Sequence, residues 1–113
     1  MTFDEYQAAA KKTNLTPAAD EVLSIGFMDK VLGLVGESAE IAEKVKKILR
    51  DKQGELSEED KQMFVKELGD VLWYIALMAD NLGVPMDEVA TRNVEKLASR
   101  QKRNKLTGSG DNR

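Results

Sequence analysis

Apolar residues recur at three-to-four spacing through most of the chain, and prolines and β-branched runs are scarce, so the pattern predicts helix almost throughout. The clearest stripe joins Val31, Leu34, Ile41, Val45 and Ile48, with the small Ser38 completing it. It predicts a helix from about Phe27 to Arg50. A second stripe runs through Phe64, Leu68, Val71, Ile75, Met78 and Leu82. Its helix opens after Ser57 as N-cap, carries Glu58, Glu59 and Asp60 in the first turn, and reaches about Leu82. Asp51 to Leu56 reads as a turn centred on Gly54, while Gly83 is placed to end the second helix and Pro85 cannot continue it.

Shorter helices flank this pair. Phe3 to about Lys12 predicts a first helix, with Asp4 and Glu5 favouring its positive end. Met86 to about Arg103 predicts a last one, with Val89, Val94 and Leu97 as modest apolar content. Thr16-Pro17 resembles an N-cap followed by proline at the first helical position, and predicts a short turn of helix. The polar, glycine-rich end from Thr107 to Arg113 is either a disordered tail or a loop that orders on a ligand. The chain therefore reads as one all-α domain, residues 1–106, with a tail at 107–113. Its architecture is a helical bundle around an antiparallel helix pair. Two helices cannot enclose their own stripes, so joining two subunits would complete a four-helix core.

Composition narrows the chemistry. Cysteine and histidine are both absent, which excludes disulfides, thiolate catalysis, Ser-His and Cys-His arrangements and the usual zinc ligands. Any metal must be held by oxygen, which suits hard cations. No apolar run approaches the ~18 residues of a membrane span, and the N-terminus lacks the regions of a signal peptide, so the expected location is cytoplasmic, without membrane contact. The net charge of −3 hides an asymmetry: Arg92 to Arg113 holds seven basic residues and two acidic ones. A pI near 5.1 argues against a duplex nucleic-acid partner. A basic segment beside an acidic body suits a small polyanion, and a solvated basic tail is the plainer alternative.

Each long helix carries an acidic pair at i, i+3, which places both carboxylates on one face: Glu37 with Glu40, and Glu67 with Asp70. Glu37 interrupts an apolar stripe and has no Lys or Arg three or four residues away; Glu67 is similar, between Met63, Phe64 and Val71. Burying an unpartnered carboxylate costs several kcal/mol, so acids placed like this on two facing helices are expected to act together. Glu40 and Asp70 are less distinctive, because Lys44 and Lys66 stand at i±4. Gly33, Gly36 and Gly69 lie near the acids and would permit close approach of backbones, or simply tight helix packing. A di-iron site would need Glu-x-x-His, and the glycine of Asp51–Glu55 is misplaced for a calcium loop. Four carboxylates on two helices suit magnesium, which keeps several waters and binds together with phosphates.

These residues resemble a known family. Gly36-Glu37-Ser38-Ala39-Glu40-Ile41-Ala42-Glu43, followed by Lys66-Glu67-Leu68-Gly69-Asp70-Val71-Leu72-Trp73-Tyr74, is similar to the ExxE and ExxD core of the MazG-like pyrophosphohydrolases. These belong to the all-α nucleoside triphosphate pyrophosphatase superfamily. The likeness extends from Phe3-Asp4-Glu5-Tyr6-Gln7 to Gly108-Ser109-Gly110-Asp111-Asn112-Arg113. It implies hydrolysis of a nucleoside triphosphate to the monophosphate and pyrophosphate, and a homodimer or pair of dimers. It also implies that Glu37, Glu40, Glu67 and Asp70 hold one or more Mg2+ ions, with Mn2+ as the alternative, and perform the catalysis. Glu37 or Glu40 would accept the proton of the attacking water.

For substrate binding, the resemblance points to Asn93 and Lys96; Arg100 and Arg103 continue the same face of the last helix. Tyr74, four residues after Asp70, would position a phosphate, a sugar or an acid, or is a packed tyrosine. Trp73 would stack on a base, but its neighbours Gly69 and Ala76 suggest packing instead. Glu43, three residues beyond Glu40, would support the metal ligands from behind, but Lys46 and Lys47 favour an exposed salt bridge instead. Tyr6 and Gln7 enter by the resemblance alone. Two rivals remain at this point: a catalytically weak nucleotide-binding or regulatory protein, and a structural helical dimer whose acids are surface charges.

Overall fold

The computed structural model describes residues 1–16 and 24–113. Four helices follow one another: α1 (Phe3–Lys11), α2 (Ile25–Lys52), α3 (Glu58–Asn81) and α4 (Met86–Lys102). The described residues form no strand, so the fold is all-α as the patterning predicts. The short turn expected after Pro17 lies outside the described residues.

Capping sets the boundaries. α2 begins before its apolar stripe because the Ser24 side chain accepts from the Phe27 amide. It ends beyond Arg50, taking in Asp51 and Lys52, because the chain first leaves the helix at Gln53 and Gly54, both with positive φ. Ser57 caps α3 as expected and forms a reciprocal capping box with Asp60. Thr2 and Glu5 do the same for α1.

α2 and α3 run antiparallel, and side-chain pairings along them give the register. Lys52 meets Asp60 at 2.8 Å, Lys44 meets Glu67 at 3.2 Å, and Gly33 faces the Tyr74 ring. Asp60 is almost fully buried and accepts from Lys52, from the Ser57 amide and from the Ser57 hydroxyl. These donors hold its carboxyl at about 2, below the ordinary 3.8. The end of α2 is thereby tied to the start of α3.

α1 closes the other side through Gln7. Its buried side-chain amide donates to the carbonyls of Ala76 and Val84 and accepts from the Met86 amide, so one residue satisfies main-chain groups of α3, the α3–α4 turn and α4. Asp87 and Asp4 exchange contacts with each other's helix starts. The core beneath is small: Ala10, Ala76, Leu77, Ala79 and Met86, flanked by Leu72, Trp73 and Ile75.

Part of the expected apolar stripes lies exposed. Val45, Leu68 and Leu82 are exposed, as are Val89, Val94 and Leu97 of α4. The radius of gyration, 17.0 Å, exceeds the roughly 13 Å of a compact chain of this length. The uncovered residues belong to the helix pair and to α4, because α4 packs on α1 and α3 and leaves the exposed side of α2 bare. Among the described residues no helix is long and apolar enough to cross a membrane. The polar end of the chain is folded back onto α4 by arginine contacts to main-chain oxygens.

Candidate metal centre

The antiparallel register brings one acid of α2 level with two of α3. Carboxylate oxygens of Glu37, Glu67 and Asp70 lie within 4.8 Å of one another. Glu37 and Glu67 are half-buried and Asp70 is exposed. Burial, and then the charges of Asp70, Glu67 and Glu40, push the Glu37 carboxyl above its usual range. Glu40 contributes charge but lies outside the cluster and is exposed. No ion pair reaches Glu40 or Asp70 among the described residues. Lys44, which sequence spacing offers to Glu40, turns instead across the helix pair to Glu67, because α3 presents that acid directly opposite. Glu67 is therefore partnered, whereas no ion pair reaches Glu37 among the described residues.

The cluster fits a hard divalent cation. All its donors are carboxylate oxygens, and three carboxylates against one ammonium leave two uncompensated charges. Ligand oxygens around an octahedral Mg2+ stand about 3 Å apart when adjacent and about 4.2 Å when opposite. The bound of 4.8 Å on the observed spread lies just beyond that range.

Tyrosines border the acids on both sides. The Tyr74 phenol is raised above its ordinary pKa by burial and by Glu37, then Asp29 and Asp70. Its ring packs on Gly33, so the glycine there admits an aromatic side chain rather than a second backbone. Among the described residues nothing lies within 4 Å of a β-carbon placed on Gly36 or Gly69, so the close approach expected at those glycines is not made there. On the other side, the Tyr6 hydroxyl donates to the Gly69 carbonyl at 3.4 Å and is raised by burial and by Asp70. The structure thus supplies the physical reason for Tyr6 that patterning lacked.

Trp73 is a packing residue. Its Nε1 donates to the Thr13 hydroxyl at 2.9 Å, its ring meets Tyr74 edge-on at 4.9 Å, and the Lys30 ammonium lies 5.8 Å from it. Lys30 was not singled out by the patterning, yet it is fully buried. Its three donors meet Thr16 Oγ1, the Thr16 carbonyl and Asp29. A lysine sitting on an apolar stripe next to its own acid gives no signal in sequence. Glu43 pairs with Lys46 and Lys47 as expected.

The remaining candidates divide. Asn93 and Lys96, with Arg92, rim a cleft of about 580 Å³ whose floor includes Leu34, Ile75 and Met78. Leu34 precedes Glu37 by three residues, so the cleft begins about one helical turn from the acids. Arg92, which the patterning did not flag, also pairs with Glu88. Arg100 is buried, away from this rim, and donates to the Asp111 carbonyl at 2.6 Å.

Residues 28–104 match the MazG nucleotide pyrophosphohydrolase domain, a span that contains α3, α4 and both acidic pairs. "Gene 37 protein" of Mycobacterium phage L5 is 49% identical over the full length of both chains. "Uncharacterized protein YvdC" of Bacillus subtilis (strain 168) is 38% identical over 72 residues, 59% of this chain and 68% of that one. No solved structure matches. With the family domain spanning most of the chain and three motif acids converging at one point, the chain belongs to the MazG nucleotide pyrophosphohydrolase family.

Proposed function

We propose that the protein hydrolyses nucleoside triphosphates to the monophosphate and pyrophosphate, with Mg2+ (Mn2+ as the alternative) held by Glu37, Glu67 and Asp70. The observation that carries this reading is the convergence of three carboxylates from two helices within 4.8 Å. Crowding like charges destabilises the fold unless a cation uses them. When bound, the ion would neutralise phosphate oxygens and orient the attacking water.

The chain's own groups do the rest. Glu40 stands one turn beyond Glu37, exposed and, among the described residues, without an ion pair. It is either a fourth ligand or the acceptor of the water's proton, and its place outside the cluster favours the second role. A carboxylate whose lone pairs are held by a cation is a weaker base than a free one. Tyr74 and Tyr6 wall the acids on either side. The cleft rimmed by Asn93 and Lys96 offers an apolar floor to a base or sugar and positive charge to phosphates. A homodimer or pair of dimers would cover the exposed apolar residues of α2 and α3.

The test is a panel of ribo- and deoxyribonucleoside triphosphates incubated with protein and Mg2+, with products separated by chromatography. Monophosphate and pyrophosphate should appear, and both should vanish with chelator and in Glu37→Gln. Turnover that survives Glu37→Gln would refute the assigned centre.

A further inference from the structure

Lys30 and Leu77 are the largest side chains that the described residues bury completely, and the chemistry proposed above leaves Lys30 without a part. Leu34 and Glu37 follow it at i+4 and i+7, so it belongs to the side of α2 that faces α3. An apolar residue of similar size would avoid the cost of taking an ammonium out of water. What the lysine supplies is a set of directed bonds. Its three donors meet the Thr16 hydroxyl at 2.6 Å, Asp29 at 2.9 Å and the Thr16 carbonyl at 3.2 Å, and no apolar side chain could hold that main chain in place.

The same ammonium stands 5.8 Å from the centre of the Trp73 ring, within the range of a cation–π contact. At its edge the ring is held by the bond from Nε1 to the Thr13 hydroxyl. Lys30 is anchored on Thr16, so the segment 13–16 sets where the indole sits, on its face and at its edge. Tyr74 lies between that indole and Gly33. Asp29, Gly33 and Glu37 follow one another at i, i+4 and i+8, so Tyr74 rests over the middle of a helix face with an acid at either end. Burial and the charges of Glu37, Asp29 and Asp70 all act on its phenol. Of these three acids, Asp29 alone is paired with a cation among the described residues. Lys30 therefore fixes the indole against which Tyr74 leans, and neutralises the acid beside Tyr74 that lies outside the cluster.

We propose that Lys30 is a positioning residue of the metal centre: through Trp73 it holds Tyr74 beside Glu37, and so couples the segment 13–16 to occupancy of the centre. The inference rests on the metal-dependent hydrolase reading. Drawing Glu37, Glu67 and Asp70 onto one cation shifts charge and side chains next to the Tyr74 ring. An indole held on its face and at its edge registers that shift in its remaining neighbour, whereas an indole freed from Lys30 relaxes instead.

Trp73 is the chain's one tryptophan, so its emission reports this ring and no other. Mg2+ titrated into the full chain should change that emission saturably, with the same midpoint as the rise in melting temperature. Lys30→Met, which keeps the length and loses the charge, should still be stabilised by Mg2+ but should lose the emission change. Its kcat should fall about tenfold or more while KM stays within about threefold, as for a group that orients rather than binds. Lys30→Arg, which keeps the cation, should recover part of both. Thr16→Val removes the shortest contact of the ammonium at an exposed residue and should weaken the emission change too. It decides the matter alone if circular dichroism shows that Lys30→Met loses its helix. An emission change that persists unaltered in the folded variants, or a parent stabilised by Mg2+ with unchanged emission, would overturn the role of Lys30 and leave the metal centre standing. Loss of the stabilisation together with the emission change in folded Lys30→Met would overturn that role as well. A parent that Mg2+ neither stabilises nor alters in emission would remove the metal centre, and the role of Lys30 with it.

Discussion

The ring of Tyr74 occupies the space that a β-carbon on Gly33 would need. Tyr74 is thereby held against α2 between the acids and Trp73, whose edge-on ring and hydrogen bond to Thr13 fix it from behind. Glycine inside a helix costs about 1 kcal/mol relative to alanine. Here that cost admits an aromatic side chain beside the metal centre.

Gly33→Ala is therefore expected to destabilise the protein, despite alanine's better helix propensity. Overpacking costs about 1–3 kcal/mol, against the gain of about 1 kcal/mol. In a Tyr74→Ala background the same change should become neutral or stabilising, since the overlap is gone. Thermal melts of the four proteins would measure this coupling, and a stabilising single Gly33→Ala would show that the ring is not lodged there.

Millimolar Mg2+ should raise the melting temperature, because an ion bound by the folded state alone stabilises it, by about 2.7 kcal/mol at a hundredfold excess over Kd. Glu37→Gln should abolish most of that rise. Unchanged melting of the parent across a magnesium titration would count against the acidic centre.

The raised Glu37 carboxyl gives a pH dependence of definite sign. Between the ordinary value of 4.5 and its raised folded value, the folded state binds more proton than the unfolded one. Without metal, stability should therefore fall as pH rises through this window, and Glu37→Gln should flatten the slope. With Mg2+ the slope should reverse, because the cation needs the deprotonated cluster. Urea unfolding across that range, with and without metal, would test both signs.

Asp60 behaves oppositely. Its carboxyl is depressed to about 2, so its contribution is present above the ordinary 3.8 and is lost as pH falls toward the lower value. Asp60→Asn should lower stability at neutral pH and remove this acid-sensitive component. Ser57→Ala, which removes the cap on α3, should cost about 1 kcal/mol. Chemical unfolding at several acid pH values would separate the two.

Sedimentation should give about twice the chain's 12.6 kDa, or a multiple of it. Leu68 is 57% exposed on α3, and Leu68→Lys should shift the protein toward monomer while leaving its helix content intact. A monomeric parent protein would mean that the exposed stripes are simply solvated.

Local chemistry was legible along the chain. The Ser57 cap, the stop at Gly83 and the three-to-four stripes depend on neighbours within a turn or two, so helix order could be read directly. Glu37, Glu67 and Asp70 were legible for a related reason: spacing at i, i+3 fixes a helix face whatever the fold. What spacing could not supply was the rotation and register of α2 against α3. That relationship turned Lys44 from Glu40 to Glu67, left Glu40 outside the cluster, and set Gly33 under Tyr74. It is decided by which side chains fit between two helices far apart in sequence, and periodicity within either helix is silent on that fit. The end of the chain shows the same division. Its glycines and arginines were plain in the sequence, but only the tertiary structure folded them back on α4, because Arg100, Arg103 and Arg113 find their partners in main-chain oxygens, which every residue carries and no sequence pattern marks.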